Sequence, residues 1–185
     1  MTKIIFEEKN VRPLEAYFED SRRLGTDDFG HQHGDAFLVH HGPVGEFEPP
    51  GDMKSTMKVE AAITGDAIPF NPRKDFAVFP VRHSAAGASE EDLIWVGRSD
   101  ENDVVIPDES VSAVHAFLRR GTGGQLLLQD MNSMNGTFVN NEAVPPQGMG
   151  DPVDLKSGAR VRFGSVKLTF LRTPEFLNLV TQLRD

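Results

Sequence analysis

The chain lacks cysteine altogether, which excludes a disulfide framework, a thiol nucleophile and any thiolate-held metal. It has no apolar run near the roughly 18 residues that crossing a bilayer as a helix requires. The opening residues turn acidic at Glu7-Glu8, where a secretory leader would continue apolar, so the expected compartment is the cytoplasm. No internal repeat or low-complexity tract is present. Nor is there a nucleophile elbow, P-loop or kinase signature, which makes an enzyme the weaker class. Positive charge is in deficit as well: 19 Lys and Arg face 28 Asp and Glu, for a net charge of -9. Non-specific binding to nucleic acid or anionic lipid is disfavoured, because most faces would repel a polyanion. One phosphate held by one arginine and a few donors is still compatible with that charge.

What is present reads as β structure from about Phe76 onward. Short alternating runs recur at Phe76 to Val81, Leu93 to Val96, Val104 to Ile106, Ala113 to Arg119, Gln125 to Gln129, Gly136 to Val139, Ala159 to Phe163 and Val166 to Leu171, with turn formers between them. Such spacing suggests an all-β sandwich or barrel. Phe163-Gly164-Ser165-Val166 reads as a tight hairpin, and Asn140-Asn141 as another turn, since Asn tolerates left-handed geometry. Ser84 to Asp92 reads as a polar surface loop.

The chain divides into an N-terminal extension (residues 1–74, partly ordered or ordered by docking), a β-rich domain (75–172) and a C-terminal helix (173–185). The extension predicts one helix opening at Pro13, with Leu14, Phe18 and Arg22 on a face and Gly25 as its end. Phe37-Leu38-Val39 reads as a lone strand, and Gly42 to Met53 as loop. At the other end Thr173 reads as a helix cap with Pro174 in the first turn. Phe176, Leu177, Leu179, Val180 and Leu183 form an apolar stripe expected to pack on the chain's own domain.

Three clusters sit at the ends of these runs: Gly97-Arg98, then Ser112-Ala113-Val114-His115, then Ser133-Met134-Asn135-Gly136-Thr137. A sandwich brings such strand-end loops together, and the residue types suit a single phosphate. Taken alone, Arg98 is an ordinary surface arginine, Ser112 a turn residue and Asn135-Gly136 a turn; His115 suits a structural imidazole better than a catalyst.

Trp95-Val96-Gly97-Arg98-Ser99, Asn102-Asp103-Val104-Val105-Ile106, Val111-Ser112-x-x-His115-Ala116, Asp130-x-x-Ser133-x-Asn135-Gly136-Thr137-Phe138-Val139-Asn140 and Leu155-x-x-Gly158-x-x-Val161-x-Phe163-Gly164 recur in one order. Together they resemble a forkhead-associated (FHA) domain over roughly residues 76–172. The resemblance implies an FHA-like β-sandwich of about eleven strands that binds phosphothreonine peptides through loops at one end. It implies that Arg98 is the main phosphate ligand and that Ser112 donates its hydroxyl and backbone N–H to the same phosphate. Asn135 would hold the peptide main chain, and Ser133 joins this phosphopeptide-binding set. Gly97, His115, Gly136 and Asn140 would be loop framework. No catalytic residue, metal or cofactor is implied. The expected partner is a phosphothreonine-containing protein or peptide, with the chain's own phosphorylated extension, through Thr26 or Thr64, as a second candidate.

Two positions depart from the family pattern. Ala113 stands where binders usually carry Arg, Lys or Asn, and Met134 where Ser or Thr is frequent. Hydrogen bonds to charged groups are worth roughly 1.5 to 3 kcal/mol each, so losing one or two weakens binding by about one to four decades. The leading expectation is a non-enzymatic phosphothreonine-peptide reader, a signalling or adaptor module downstream of a Ser/Thr kinase. The alternative is an FHA-fold assembly module with weakened or lost phosphate recognition. A third constellation, His31, His33, His40 and His41 near Asp27, Asp28 and Asp35, has metal-ligand chemistry but no defined ligand spacing. The acidic pairs read as solvated faces.

Overall fold

Alternation along residues 160–171 explains the centre of the fold. Val161, Phe163, Val166, Leu168 and Phe170 all fall on one side of a hairpin and are buried, while Arg160 and Lys167 face outward, exposed. In the computed structural model, which describes residues 11–40, 76–83 and 93–184, these become strands β11 (Arg160–Phe163) and β12 (Val166–Arg172). The other strands are β1 (Arg12–Pro13), β2 (Ala36–His40), β3 (Ala77–Pro80), β4 (Leu93–Gly97), β5 (Val104–Val105), β6 (Ala116–Arg120), β7 (Leu126–Asp130), β8 (Thr137–Val139), β9 (Glu142–Ala143) and β10 (Val153–Leu155). They form a seven-stranded sheet, ordered β1-β3-β2-β12-β11-β8-β9, and a five-stranded sheet, ordered β10-β7-β6-β4-β5. All neighbours are antiparallel except β4 and β5. The inner faces meet in one core that includes Leu38, Phe79, Ile94, Leu118, Leu128, Phe163 and Phe170. The result is a two-sheet sandwich, which the family resemblance implied and which is one of the two architectures, sandwich or barrel, that the short-strand pattern suggested.

The segment Phe37-Leu38-Val39 is not alone. As β2 it lies between β3 and β12, with Leu38 opposite both Phe79 and Phe170, so the sandwich draws on residues well upstream of residue 75. The run Ala113 to Arg119 is shorter as a strand than expected, because residues up to His115 belong to a loop and β6 starts at Ala116.

The expected helix from Pro13 to Gly25 is instead a 3-10 turn at Leu14–Tyr17 followed by the one-turn α1 (Asp20–Arg23), and a further helix, α2 (Thr26–His33), comes next. Three-residue periodicity aligns Leu14 and Tyr17 on one side, and both are fully buried. They join Phe29, Phe37, Val39, Phe76, Val78, Leu171, Phe176 and Val180 in a second core on the outer face of the seven-stranded sheet. The lid of that core is α3 (Thr173–Arg184). Its stripe packs inward as expected: Phe176 stacks on Phe37 at 4.0 Å and meets Tyr17 edge-on at 5.1 Å, and Leu177, Leu179 and Leu183 pack around them. Thr173, read as a cap, instead donates its hydroxyl to the Gly34 carbonyl at 3.1 Å.

Arg120 of β6 clasps Asp35 through two bonds, at 2.6 and 2.9 Å, and Arg172 approaches the same carboxylate at 3.3 Å. Arg120 holds the Asp35 carboxyl below its ordinary pKa. Among the described residues no helix is long and apolar enough to cross a membrane. The readings of Gly42 to Met53 and Ser84 to Asp92 lie outside the described residues, as do His41 and Thr64.

Candidate functional site

The site is assembled where β4 stops. Gly97 ends that strand against the 112–115 loop, so closely that a Cβ there would collide with the Ala113 carbonyl oxygen and Asn102 Nδ2. Only glycine permits that approach. The two segments are then stitched: Arg98 N–H donates to Ser112 O at 2.9 Å and Ser99 N–H to Ala113 O at 3.1 Å. Asn102 Nδ2 closes the turn by donating to both Ser99 O and Ala113 O, each at 2.7 Å.

Arg98 is thereby fixed beside Ser112 at its backbone, and its Nε donates to Val111 O at 3.2 Å. That bond aims an exposed guanidinium across the loop and leaves its terminal amino groups to the outside; among the described residues no carboxylate pairs with it. Ser112 Oγ accepts the Met134 N–H at 3.1 Å, so its own hydroxyl hydrogen remains to be donated. The Ser112 backbone N–H, expected to face a phosphate, is already engaged: it donates to His115 Nδ1 at 3.0 Å.

His115 is fully buried. With Nδ1 as acceptor, its proton sits on Nε2, which donates to Gly136 O at 3.2 Å; burial pushes its pKa below the usual histidine value. Phe163 meets the ring edge-on at 5.5 Å. One neutral imidazole thus ties the Ser112 loop to the Gly136 loop. Gly136 has φ 77°, a left-handed conformation suited to glycine, and its carbonyl also accepts Gly164 N–H at 3.1 Å.

The 131–136 loop hangs from Asp130, a residue that the Asp130-x-x-Ser133 spacing displayed but to which no role had been attached. Its carboxylate accepts Ser133 N–H at 3.0 Å and the hydroxyls of Ser133 and Thr137, each at 2.6 Å. Ser133, expected among the peptide contacts, has spent its hydroxyl hydrogen on this brace. Asn135 is exposed and donates Nδ2 to Ser110 O at 2.8 Å, which joins the third loop to the turn before Ser112. Ser110 is held in turn by Asp108 at 2.5 Å and Ser165 at 2.8 Å. Gly164 is needed there twice over: its φ is 57°, and a Cβ would strike the Ser110 backbone.

Arg98, Ser112, Ser133 and Asn135 therefore converge at one end of the sandwich with Gly97, His115 and Gly136 beneath them. Asn140 does not join them. It sits at the far end of β8 in a left-handed Asn140-Asn141 turn, φ 51° and 70°, where Oδ1 accepts Arg160 N–H at 2.9 Å. Around the convergence Ala113 is exposed, Val114 is 46% exposed and Met134 is 89% exposed, an apolar rim that no polar atom of these side chains interrupts.

The histidine constellation is dispersed. His33 is buried in the second core with Nε2 3.0 Å from Asp20 Oδ2, whereas His31 is exposed. His40 ends β2, where burial pushes its pKa below the usual histidine value against the opposing charge of Asp108. No group of three or more His, Asp or Glu among the described residues is placed to hold a metal.

Residues 94–164 match the family model of the FHA domain; this part of the chain is an FHA domain. Among curated proteins it is similar to the glycogen accumulation regulator GarA of Mycolicibacterium smegmatis, 37% identical over 79 residues, covering 43% of this chain and 46% of that one. It is also similar to the oxoglutarate dehydrogenase inhibitor of Corynebacterium diphtheriae, 36% identical over 78 residues, covering 42% and 50%. The match thus spans about half the length of these two relatives. Among solved structures the FhaA FHA domain, complexed with the intracellular domain of Rv3910, is 31% identical over 45% of this chain and 85% of that one, with a TM-score of 0.37. An FHA domain studied for its phosphothreonine-dependent interactions is also 31% identical, over 45% and 79%, with a TM-score of 0.38.

Proposed function

We propose that this protein is a non-enzymatic reader of phosphothreonine peptides, an adaptor or regulator in the cytoplasm acting downstream of a Ser/Thr kinase. One observation carries the reading: Arg98, whose guanidinium has no carboxylate partner among the described residues, is tied by Nε to Val111 O and by its backbone N–H to Ser112 O, in the loop whose Ser112 hydroxyl still has a hydrogen to donate. A phosphate between them would receive charge-assisted bonds from Arg98 and one from Ser112. Asn135 keeps its Oδ1 and one amide hydrogen for a peptide main chain. The regulators and inhibitors among its relatives support a role exerted by binding rather than by turnover. The test is calorimetric titration with a phosphothreonine peptide and its unphosphorylated twin. Micromolar or tighter binding of the first alone, abolished by Arg98→Ala, is expected; equal binding of both sinks the reading.

The apolar rim of Ala113, Val114 and Met134 favours a second reading, an FHA-fold assembly module with weakened phosphate recognition. That reading prevails if Arg98→Glu leaves complex formation intact. A variant of the first reading is self-recognition, in which a phosphorylated threonine of the extension, such as Thr26 or Thr64, folds back on the site; Thr26 opens α2 and is exposed. Mass measurement of protein from cells holding the cognate kinase, with no phosphate found on the extension, removes it.

A further inference from the structure

Away from the loops, one face carries positive charge that no described residue neutralises. Lys167, Arg162 and Phe138 stand directly opposite one another across β12, β11 and β8. They point outward, since their strand neighbours Leu168, Val161, Phe163 and Val139 lie in the core. Arg160 occupies the same face two residues before Arg162, about 7 Å away along the strand. The Arg162 guanidinium carbon sits over Phe138, 3.7 Å from the ring centroid, and the side chain donates to the Gly164 carbonyl; Arg160 and Lys167 are exposed.

Like charges directly opposite on adjacent strands are unfavourable, and acidic residues outnumber basic ones in this chain. Elsewhere the fold uses that surplus, as where Asp35 takes both Arg120 and Arg172. Yet among the described residues none of Arg160, Arg162 and Lys167 has an ion-pair partner. The remainder of the same outer face, at Phe37, Val39, Val78 and Leu171, is roofed by α3 and the N-terminal residues. Among the described residues nothing roofs the basic part.

We propose that the outward side of β8, β11 and the start of β12 is a docking surface for an extended acidic segment of a partner protein. Charge complementarity selects that occupant. The ring of Phe138 and the carbonyl of Gly164 hold Arg162 in a fixed orientation, so less side-chain freedom is lost on pairing with a carboxylate. Three cations make a small footprint for a nucleic-acid strand, whose affinity grows with the number of phosphates neutralised, and the net charge of -9 opposes so large a polyanion. Its three cations are distinct from Arg98 and Ser112, and the two regions meet at Gly164, whose carbonyl holds Arg162 and whose backbone abuts Ser110.

The probe is a short fluorescein-labelled poly-glutamate peptide titrated into the full chain at low salt, followed by anisotropy and by amide chemical shifts. Saturable binding is expected, with shifts on β8, β11 and β12. It should weaken at high salt, fall about tenfold in Arg160→Glu/Lys167→Glu and be unaffected by Arg98→Ala. If that reversal variant misfolds by circular dichroism, Arg160→Gln/Lys167→Gln decides, with a smaller loss expected. The proposal is overturned by absence of saturable binding, by undiminished binding in the folded variant, or by shifts confined to the Ser112 and Asn135 loops. It is equally overturned if a single-stranded oligonucleotide or an anionic phosphatidylserine vesicle binds more tightly than the peptide.

Discussion

His115 Nδ1 accepts the backbone N–H of Ser112 at 3.0 Å, and that bond exists only while the imidazole is neutral. Protonation of Nδ1 would set two donors against each other and release the loop that carries Ser112. Burial lowers the pKa of His115, and likewise of His33 and His40, below the ordinary histidine value of 6.5. A histidine whose folded pKa is depressed takes up its proton preferentially in the unfolded chain. Its stabilising contribution is therefore complete above pH 6.5 and is lost as pH falls from there toward the folded pKa values. Urea denaturation at a series of pH values should show stability level above neutrality and declining below 6.5; a flat profile down to pH 5 or so would contradict the depressed histidine pKa values.

Gly97→Ala tests the close approach at the end of β4. Its methyl group meets backbone on one side and the Asn102 amide on the other, neither of which yields without moving the Ser112 loop. A loss of about 1 to 3 kcal/mol is expected, together with weaker phosphopeptide binding. Unchanged melting temperature and affinity would show that the two loops separate freely.

Asp130→Ala removes the acceptor of three bonds and leaves the buried Thr137 hydroxyl without its acceptor. Stability should fall by about 1 to 3 kcal/mol or more. Affinity should drop even though Asp130 touches no ligand, and amide exchange should accelerate from Met131 to Gly136. Ser133→Ala, which cuts one of the hydroxyl bonds alone, should cost less; a Ser133→Ala effect on affinity equal to that of Arg98→Ala would instead place Ser133 on the phosphate.

Phe176→Ala opens the second core beneath α3. The ring stacks on Phe37 and meets Tyr17 and Phe29, so truncation is expected to cost about 3 to 5 kcal/mol and to expose residues 11–40 to proteolysis. A cost below about 1 kcal/mol would mean that the N-terminal residues and α3 are not seated as described.

Ala113→Arg restores a cation on the exposed rim next to Arg98. If phosphate binds there, affinity for a phosphothreonine peptide should rise about tenfold to a hundredfold, with no gain for the unphosphorylated twin. Equal gains for both peptides would reveal nonspecific attraction.

The local sequence made part of this legible. Alternation at Val161, Phe163, Val166, Leu168 and Phe170 marked a hairpin with one buried side, and the Gly97-Arg98, Ser112-x-x-His115 and Asn135-Gly136 spacings marked the loops that converge. The two-residue strands β1 and β9 are too short to carry any periodicity. The change from 3-10 turn to α1 at Phe18 and Glu19, both with helical backbone, has no marker in the local sequence.

By itself the sequence determined the sandwich and the identity of the residues at its loop end, because strand periodicity and turn chemistry act over a few neighbouring positions. Only the tertiary structure decided that β2 lies between β3 and β12, that the Ser112 N–H goes to His115 rather than outward, and that Ser133 turns to Asp130. Each of those outcomes depends on which distant donor or acceptor is buried nearby, since a buried polar group must find its partner wherever the fold supplies one.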